Sequence, residues 1–259
     1  MPQMRLKTNR ILTALAFAAV FSAMSGVAAA APVIFFGEDL GAGEDTVLAA
    51  TPNADAAQLN FLASLISPGI ETFEGFAGGT PAPLAINFAN GITATLNGDG
   101  NVDSLADGVT NGVGRYGVTG DPDGDERYWE AGGGTNAFTV EFSAPVSAFG
   151  FYGIDIGDFL GEVTVTTAGG LNQVFNVGNV TGGDGGGVLF WGVIDPEATF
   201  TSVTFGNTGS GNDFFAFDDF TLGSPEQVIP PDGSGPEPTT LLLLGTGLAA
   251  AAYRRRRNP

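Results

Sequence analysis

Histidine and cysteine are both absent from this 259-residue chain, and lysine occurs once, at Lys7. Without cysteine there are no disulfides and no thiolate nucleophile. Without histidine, Ser-His-Asp and Cys-His catalysis and the usual zinc sites are excluded. Lys7 stands in the extreme N-terminal segment, so the rest of the chain has no amine for a Schiff base. Only carboxylates, hydroxyls and a few arginines remain for chemistry. Positive charge is scarce as well, with 9 basic residues against 28 acidic ones. Seven of the nine lie at the two ends, as Arg5, Lys7, Arg10, Arg254, Arg255, Arg256 and Arg257. Setting those seven and Glu237 aside leaves 27 acidic residues against two basic ones, Arg115 and Arg127, a net charge near −25. Nucleic acid and anionic membrane surfaces need a basic footprint, so neither is a partner for this body. Calcium and neutral sugars are compatible with it.

The ends carry what the middle lacks. Arg5, Lys7 and Arg10 precede an apolar run over 11–24, and "SGVAAAAP" follows with small residues. This is the layout of a secretory signal peptide, with Ala28 and Ala30 forming an A-x-A site and cleavage after Ala30. The C-terminus reads "PEPTTLLLLGTGLAAAAYRRRRNP". Residues 239–253 are uncharged, and four arginines end the run. A membrane accounts for both, since lipid accepts an apolar helix and the cytoplasmic face retains the arginines. The run has 15 residues, fewer than the roughly 20 that span a bilayer comfortably. That length suits a processing signal better than a lasting anchor.

Pro236, Glu237 and Pro238, then the apolar run, then Arg254, Arg255, Arg256 and Arg257, make a tail that resembles a PEP-CTERM sorting signal. The resemblance covers the last 24 residues. It implies an exosortase-type membrane protease that removes the tail, and transit through the inner membrane with the C-terminal helix as a temporary anchor. It also implies a Gram-negative bacterium that makes extracellular polysaccharide, with the protein bound for its envelope, surface or matrix. The expected organisation is a signal peptide at 1–30, a folded domain at 31–224, a linker at 225–235 and the sorting signal at 236–259.

The body reads as all-β with one short helical insert. "PNADAAQLNFLASLI" places Asn53 as N-cap and Ala56, Leu59, Leu62 and Ile66 on one helical face. Alternating or apolar runs follow at 70–73, 84–88, 92–96, 137–142, 146–154, 162–167, 173–177, 188–194, 200–205 and 214–222, separated by glycine and aspartate. Such spacing predicts a two-sheet antiparallel sandwich. The 41 glycines follow no short period, which argues against a β-helix. "APVSAFGFYGIDIGDF" and "FTSVTFGNTGSGNDFFAFDDFTLG" resemble the late strands of jelly-roll modules.

In calcium-bearing jelly-roll modules an early "F-E" strand and a late aspartate share a buried ion. By that resemblance Glu74 of "ETFEGF" and Asp218 or Asp219 of "FAFDDF" are calcium ligands. Adjacent strand residues face opposite sides, so only one of the two aspartates should point inward. "TLNGDGNVDSLAD" imitates an EF-hand loop, but Thr95 and Ala106 occupy its first and twelfth positions, where acids belong. A hairpin turn is the better reading. "DPDGDERYWE" offers Asp121, Asp123 and Asp125 as a second calcium loop. Tyr116, Tyr128 and Trp129 lie near these acids, as in sugar-binding surfaces where rings stack on the sugar face. Trp191, inside "VLFWGVI", belongs to the core.

Three functions compete. The leading one is a non-catalytic, structural or adhesive surface module. The second is a carbohydrate-binding module for extracellular polysaccharide, which requires an exposed aromatic platform. The third is a glycoside hydrolase or lyase using Asp125, Glu126 or Glu130, which needs two carboxylates facing each other across a cleft.

Overall fold

The computed structural model describes residues 31–120, 124–132, 138–156, 162–178, 185–206 and 214–230. They lie within one unit, Ala30–Pro230. The described elements are, in order, β1 (Val33–Asp39), α1 (Pro52–Ala63), β2 (Gly69–Glu71), β3 (Leu84–Asn87), β4 (Thr93–Gly98), β5 (Asn101–Ala106) and β6 (Asp125–Gly132). There follow β7 (Phe138–Val146), β8 (Ala148–Ile154), β9 (Glu162–Thr167), β10 (Asn172–Asn176), β11 (Val188–Ile194), β12 (Phe200–Gly206) and β13 (Phe214–Gly223). One sheet runs β1-β11-β8-β13-β6-β5, with β2 also paired to β13, and the other runs β10-β9-β12-β7-β4-β3. Every strand pair is antiparallel. The described residues form the all-β, jelly-roll-like sandwich expected, with one α-helix and a short 3-10 turn at Pro225–Gln227.

Alternation, interrupted by a register shift between Phe200 and Ser202, makes the six-stranded sheet. Val140, Val163, Val165, Val203 and Leu96 point into the sandwich and are buried. The same sheet also contributes aromatic rings to the core, which meet Phe217 of the opposite sheet. Phe138 stacks on Phe205 at 4.3 Å, and Phe217 meets Phe205 edge-on at 5.0 Å. Each well-oriented ring pair adds about 1 kcal/mol beyond the area it buries.

The seven-stranded sheet is covered on both faces. Its outer side carries a second core of Ala54, Ala57, Phe61, Tyr116, Tyr128, Tyr152 and Phe190. That is why β8, "AFGFYGI", and β11, "VLFWGVI", are unbroken apolar runs rather than alternating ones. Two of their glycines make room for the helix. A Cβ on Gly192 would lie 2.9 Å from the Phe61 ring, and one on Gly150 3.1 Å from it.

The helix begins and faces differently from expectation. Thr51 is its N-cap and Pro52 its first residue, so Asn53 lies inside it. The carboxylate of Asp39, at the end of β1, accepts the backbone N–H groups of Asn53 at 3.0 Å and Ala54 at 2.9 Å. A residue from a neighbouring strand thus satisfies the free N–H groups that a local cap would take. The buried face is Ala54, Ala57 and Phe61, while Leu59 and Ile66 are exposed. Close approach decides this: a Cβ on Gly37 of β1 would meet the Asn53 carbonyl oxygen at 2.0 Å, and only small residues fit there.

Two connections also depart from the sequence reading. Residues 98–101 join β4 to β5 across the two sheets, so they form a corner and not a hairpin. The expected linker begins as part of the body. Ile229 donates its N–H to the Ser64 carbonyl at 2.9 Å, and the Ile66 N–H reaches the Gln227 carbonyl at 2.7 Å.

Candidate functional site

The closing strand β13 departs from regular geometry at its pair of aspartates. Asp219 has φ +49°, and the pairing of β13 with β8 shifts register between Asp218 and Thr221. This bulge cancels the alternation that should have sent one aspartate inward and one outward. Phe217 and Phe220 both enter the main core, and Asp218 and Asp219 are both buried. Asp218 Oδ2 accepts the N–H groups of Val118 at 2.9 Å and Thr119 at 3.2 Å, and its Oδ1 accepts that of Asp219 at 2.7 Å. Asp219 Oδ1 accepts the Thr119 hydroxyl at 2.9 Å, and Oδ2 accepts an N–H of Gln58 at 3.2 Å.

Burial first, then the charge of Asp219, holds the Asp218 carboxyl well above the usual range. Desolvation raises Asp219 also, against the hydroxyl and amide bonds that favour its charged form. Glu71 is raised by burial and further by Asp219, despite a hydrogen bond from the Phe73 N–H. The Tyr152 hydroxyl, 3.0 Å from Asp55 and 3.2 Å from Gln58, is shifted upward by burial and by Asp55. This cluster links the helix, the loop at 116–119 and the central strand. It is a hydrogen-bonded joint.

The expected calcium ligands do not converge. Glu74 is held by Arg127, whose guanidinium approaches Oε2 at 3.0 Å and whose backbone N–H approaches Oε1 at 2.7 Å. Among the described residues no three acidic side chains stand together as metal ligands. Calcium ligated by Glu74, Asp218 and Asp219 does not fit, because their oxygens already serve N–H, hydroxyl and guanidinium donors. Asp125 opens β6 and lies 3.5 Å from the Arg127 guanidinium, while Asp121 and Asp123 fall outside the described residues.

The expected sugar platform is also absent from the surface. Trp129 and Tyr128 are 0% exposed and Tyr116 is 2% exposed. Trp129 lies inside the sandwich against Phe73 and Phe138, with Gly100 pressed so close that a Cβ there would be 2.5 Å from the indole. Tyr128 sends its hydroxyl to Asp103 at 3.0 Å, and Tyr116 sends its own to the Gly186 carbonyl at 3.1 Å. All three are core residues; the two tyrosines have satisfied polar tips, while the Trp129 indole N–H is buried without a hydrogen-bond partner.

The hydrolase candidates on β6 are dispersed. Glu126 and Glu130 share one strand face four residues apart, roughly 13 Å along the chain. Paired glycosidase carboxylates stand about 5–9.5 Å apart. Glu130 is bound by Arg115 at 2.8 Å, with Asp155 at 3.9 Å on the same guanidinium. Glu126 accepts the Gly108 N–H at 3.1 Å, and burial raises its carboxyl. Asp125, one residue from Glu126, projects to the other side of the sheet.

Sequence reasoning missed Glu71, whose register opposite Phe220 brings it to Asp219. The nearby "ETFE" contained two glutamates, and nothing in their spacing distinguished the one beside the aspartates. It also missed the outer face of the six-stranded sheet, where hydroxyl side chains line up across strands.

The sorting tail and the N-terminal segment lie outside the described residues. Among the described residues no helix is long and apolar enough to cross a membrane. Comparison with curated proteins returns no match. Solved structures similar to part of the chain include the K2 cleaved adhesin domain of Lys-gingipain, at 16% identity over 60% of this chain and 97% of that one, TM-score 0.35. Another is the C-terminal family 22 carbohydrate-binding module of Clostridium thermocellum Xyn10B, at 14% identity over 64% and 98%, TM-score 0.34. A xylan-binding domain of family 22 matches at 15% over 64% and 99%, TM-score 0.34. A protein-family model matches residues 236–257 as the PEP-CTERM protein-sorting motif. The chain therefore carries, behind an antiparallel β-sandwich, a PEP-CTERM motif that implies export and exosortase sorting toward the cell envelope or surface.

Proposed function

We propose that this chain is an exported surface or extracellular-matrix protein whose sandwich serves a structural or adhesive role without catalysis. The observation that carries the reading is the sorting motif at 236–257. Support for a non-catalytic body comes from how its acids are spent. Glu130 serves Arg115, Glu74 serves Arg127, and Asp218 receives three backbone N–H groups. The carbohydrate-binding reading loses its aromatic platform to the core. What favours it still is the hydroxyl-rich outer face of the six-stranded sheet.

The test is a comparison of the full chain with one ending at Gly235, both produced in a host that possesses exosortase. The full chain is expected at the cell surface. The shortened chain should be exported and then appear free in the medium or periplasm, because nothing tethers it at the membrane for transfer. Identical distributions of the two would overturn the sorting function.

A further inference from the structure

The outer face of the six-stranded sheet is built mostly of uncharged polar residues on a strongly acidic body. Its register assembles hydroxyls that lie far apart in sequence. Thr164 of β9 pairs with Thr204 of β12, which pairs with Thr139 of β7, which pairs with Asn97 of β4. The neighbouring row runs Thr166, Ser202, Glu141 and Thr95 across the same four strands. Thus β9, β12 and β4 present hydroxyl-x-hydroxyl at 164/166, 202/204 and 93/95. Adjacent strands set one spacing at about 4.8 Å, and alternate residues along a strand set the other at about 6.8 Å.

Several of these groups are already ordered by one another. The Thr139 and Thr204 hydroxyls are 2.9 Å apart, Thr166 donates to Asn172 at 3.1 Å, and Thr93 donates to Asn87 at 2.9 Å. A hydroxyl has one donor and two acceptor sites, so each contact leaves capacity facing outward. Cross-strand bonding and β-branching at threonine also hold the side chains in few rotamers. Little entropy remains to be lost when a ligand settles on them. Among the strand residues at outward register positions of this sheet, the charged ones are Glu141 of β7 and, at the start of β9 opposite Gly206, Glu162. A body with 27 acids and two arginines has concentrated its charge elsewhere.

We propose that this face binds an extended neutral polysaccharide, which lies across the strands and exchanges hydrogen bonds with the threonine and serine hydroxyls. The inference rests on the adhesive reading above and names its partner. Charge selects that partner: an anionic polymer would be repelled by the acidic flanks, and a basic one would seek those flanks instead. A neutral polyhydroxyl chain presents the same mixed donors and acceptors as the array. The contact is a flat one, built from many weak bonds.

The test is co-sedimentation of the purified full-length chain with microcrystalline cellulose and curdlan, with alginate as the anionic control. The chain should be retained by a neutral polymer and not by alginate. The double variant Thr164→Ala with Thr204→Ala should bind about tenfold more weakly. The variant Thr204→Ser, which keeps a hydroxyl, should restore most of the loss. Thermal unfolding of both variants should match the parent, which separates a binding defect from a folding one. Failure of the parent to bind either neutral polymer, or equal retention of the double variant, would overturn the proposal. Ice shaping by the parent, lost in the double variant, would instead assign the array to ordered water. None of these outcomes bears on surface delivery, which the tail truncation reads independently.

Discussion

Phe217→Asp is expected to leave no folded body. The ring is 2% exposed and touches Phe138 at 5.1 Å, Phe205 at 5.0 Å and Phe151 at 5.6 Å. Removing a buried phenylalanine costs about 3–5 kcal/mol. The carboxylate put in its place would face rings on every side and find no donor, which adds a further penalty of several kcal/mol, here estimated from transfer of unpaired polar groups at about 2–7. Domains are stable by about 5–15 kcal/mol, so the sum reaches or exceeds the reserve. Circular dichroism should show no cooperative transition. Phe217→Leu keeps most of the apolar volume and should fold, with a lower melting temperature. A cooperative melt of Phe217→Asp within a few degrees of the parent would place β13 outside the core.

The second large effect is an inverted response to pH. Burial raises the folded-state pKa of Asp218, Asp219, Glu71 and Glu126 above their ordinary values. The folded state then holds protons more tightly than the unfolded chain over the window between those values. Stability from these groups is fully present below the ordinary carboxylate range and is lost as pH rises through the folded pKa values. Self-repulsion among 27 acids opposed by two arginines acts in the same direction. Urea midpoints should therefore be higher at pH 5 than at pH 8, the reverse of a protein held by carboxylate ion pairs.

Asp218→Asn separates the causes. Its amide cannot ionise, so part of the slope should vanish. Its NH2 group would also face one of three backbone N–H donors, lowering stability by about 1–3 kcal/mol at every pH. An unchanged slope in the variant, or a parent that gains stability up to pH 8, would contradict this account of the joint.

Most of the strands could be read from alternation and from glycine-aspartate breaks. The runs 162–167 and 188–194 coincide with β9 and β11. Three strands escaped for separate physical reasons. β1, "VIFFGED", continues the apolar character of the segment before it, so no boundary announces it. β5, "NVDSLA", lies at a sheet edge, where polar residues are tolerated and the strand pattern is weak. β6, "DERYWEAG", looks like a charged loop because its acids and arginine are neutralised by residues far away in sequence, such as Glu74 and Arg115.

The same long-range pairing explains the misplaced site residues. Period-two reasoning assigned Asp218 and Asp219 to opposite faces, and a single positive φ at Asp219 defeated it. Rings near acids suggested a sugar platform, yet the helix and the loops above the seven-stranded sheet bury Tyr116 and Tyr128. The threonine array left only short traces in the sequence, "TAT", "TVT" and "SVT" at 93–95, 164–166 and 202–204, and strand register alone aligns them. The sorting tail was the opposite case. Its three parts are contiguous, so they could be read directly.

Intact-mass measurement of the protein recovered from the surface of its native host tests the central claim most directly. The account predicts a species that begins at Ala31 and lacks everything beyond the Pro236-Glu237-Pro238 region. Recovery of surface protein with the arginine cluster at 254–257 still attached would contradict it.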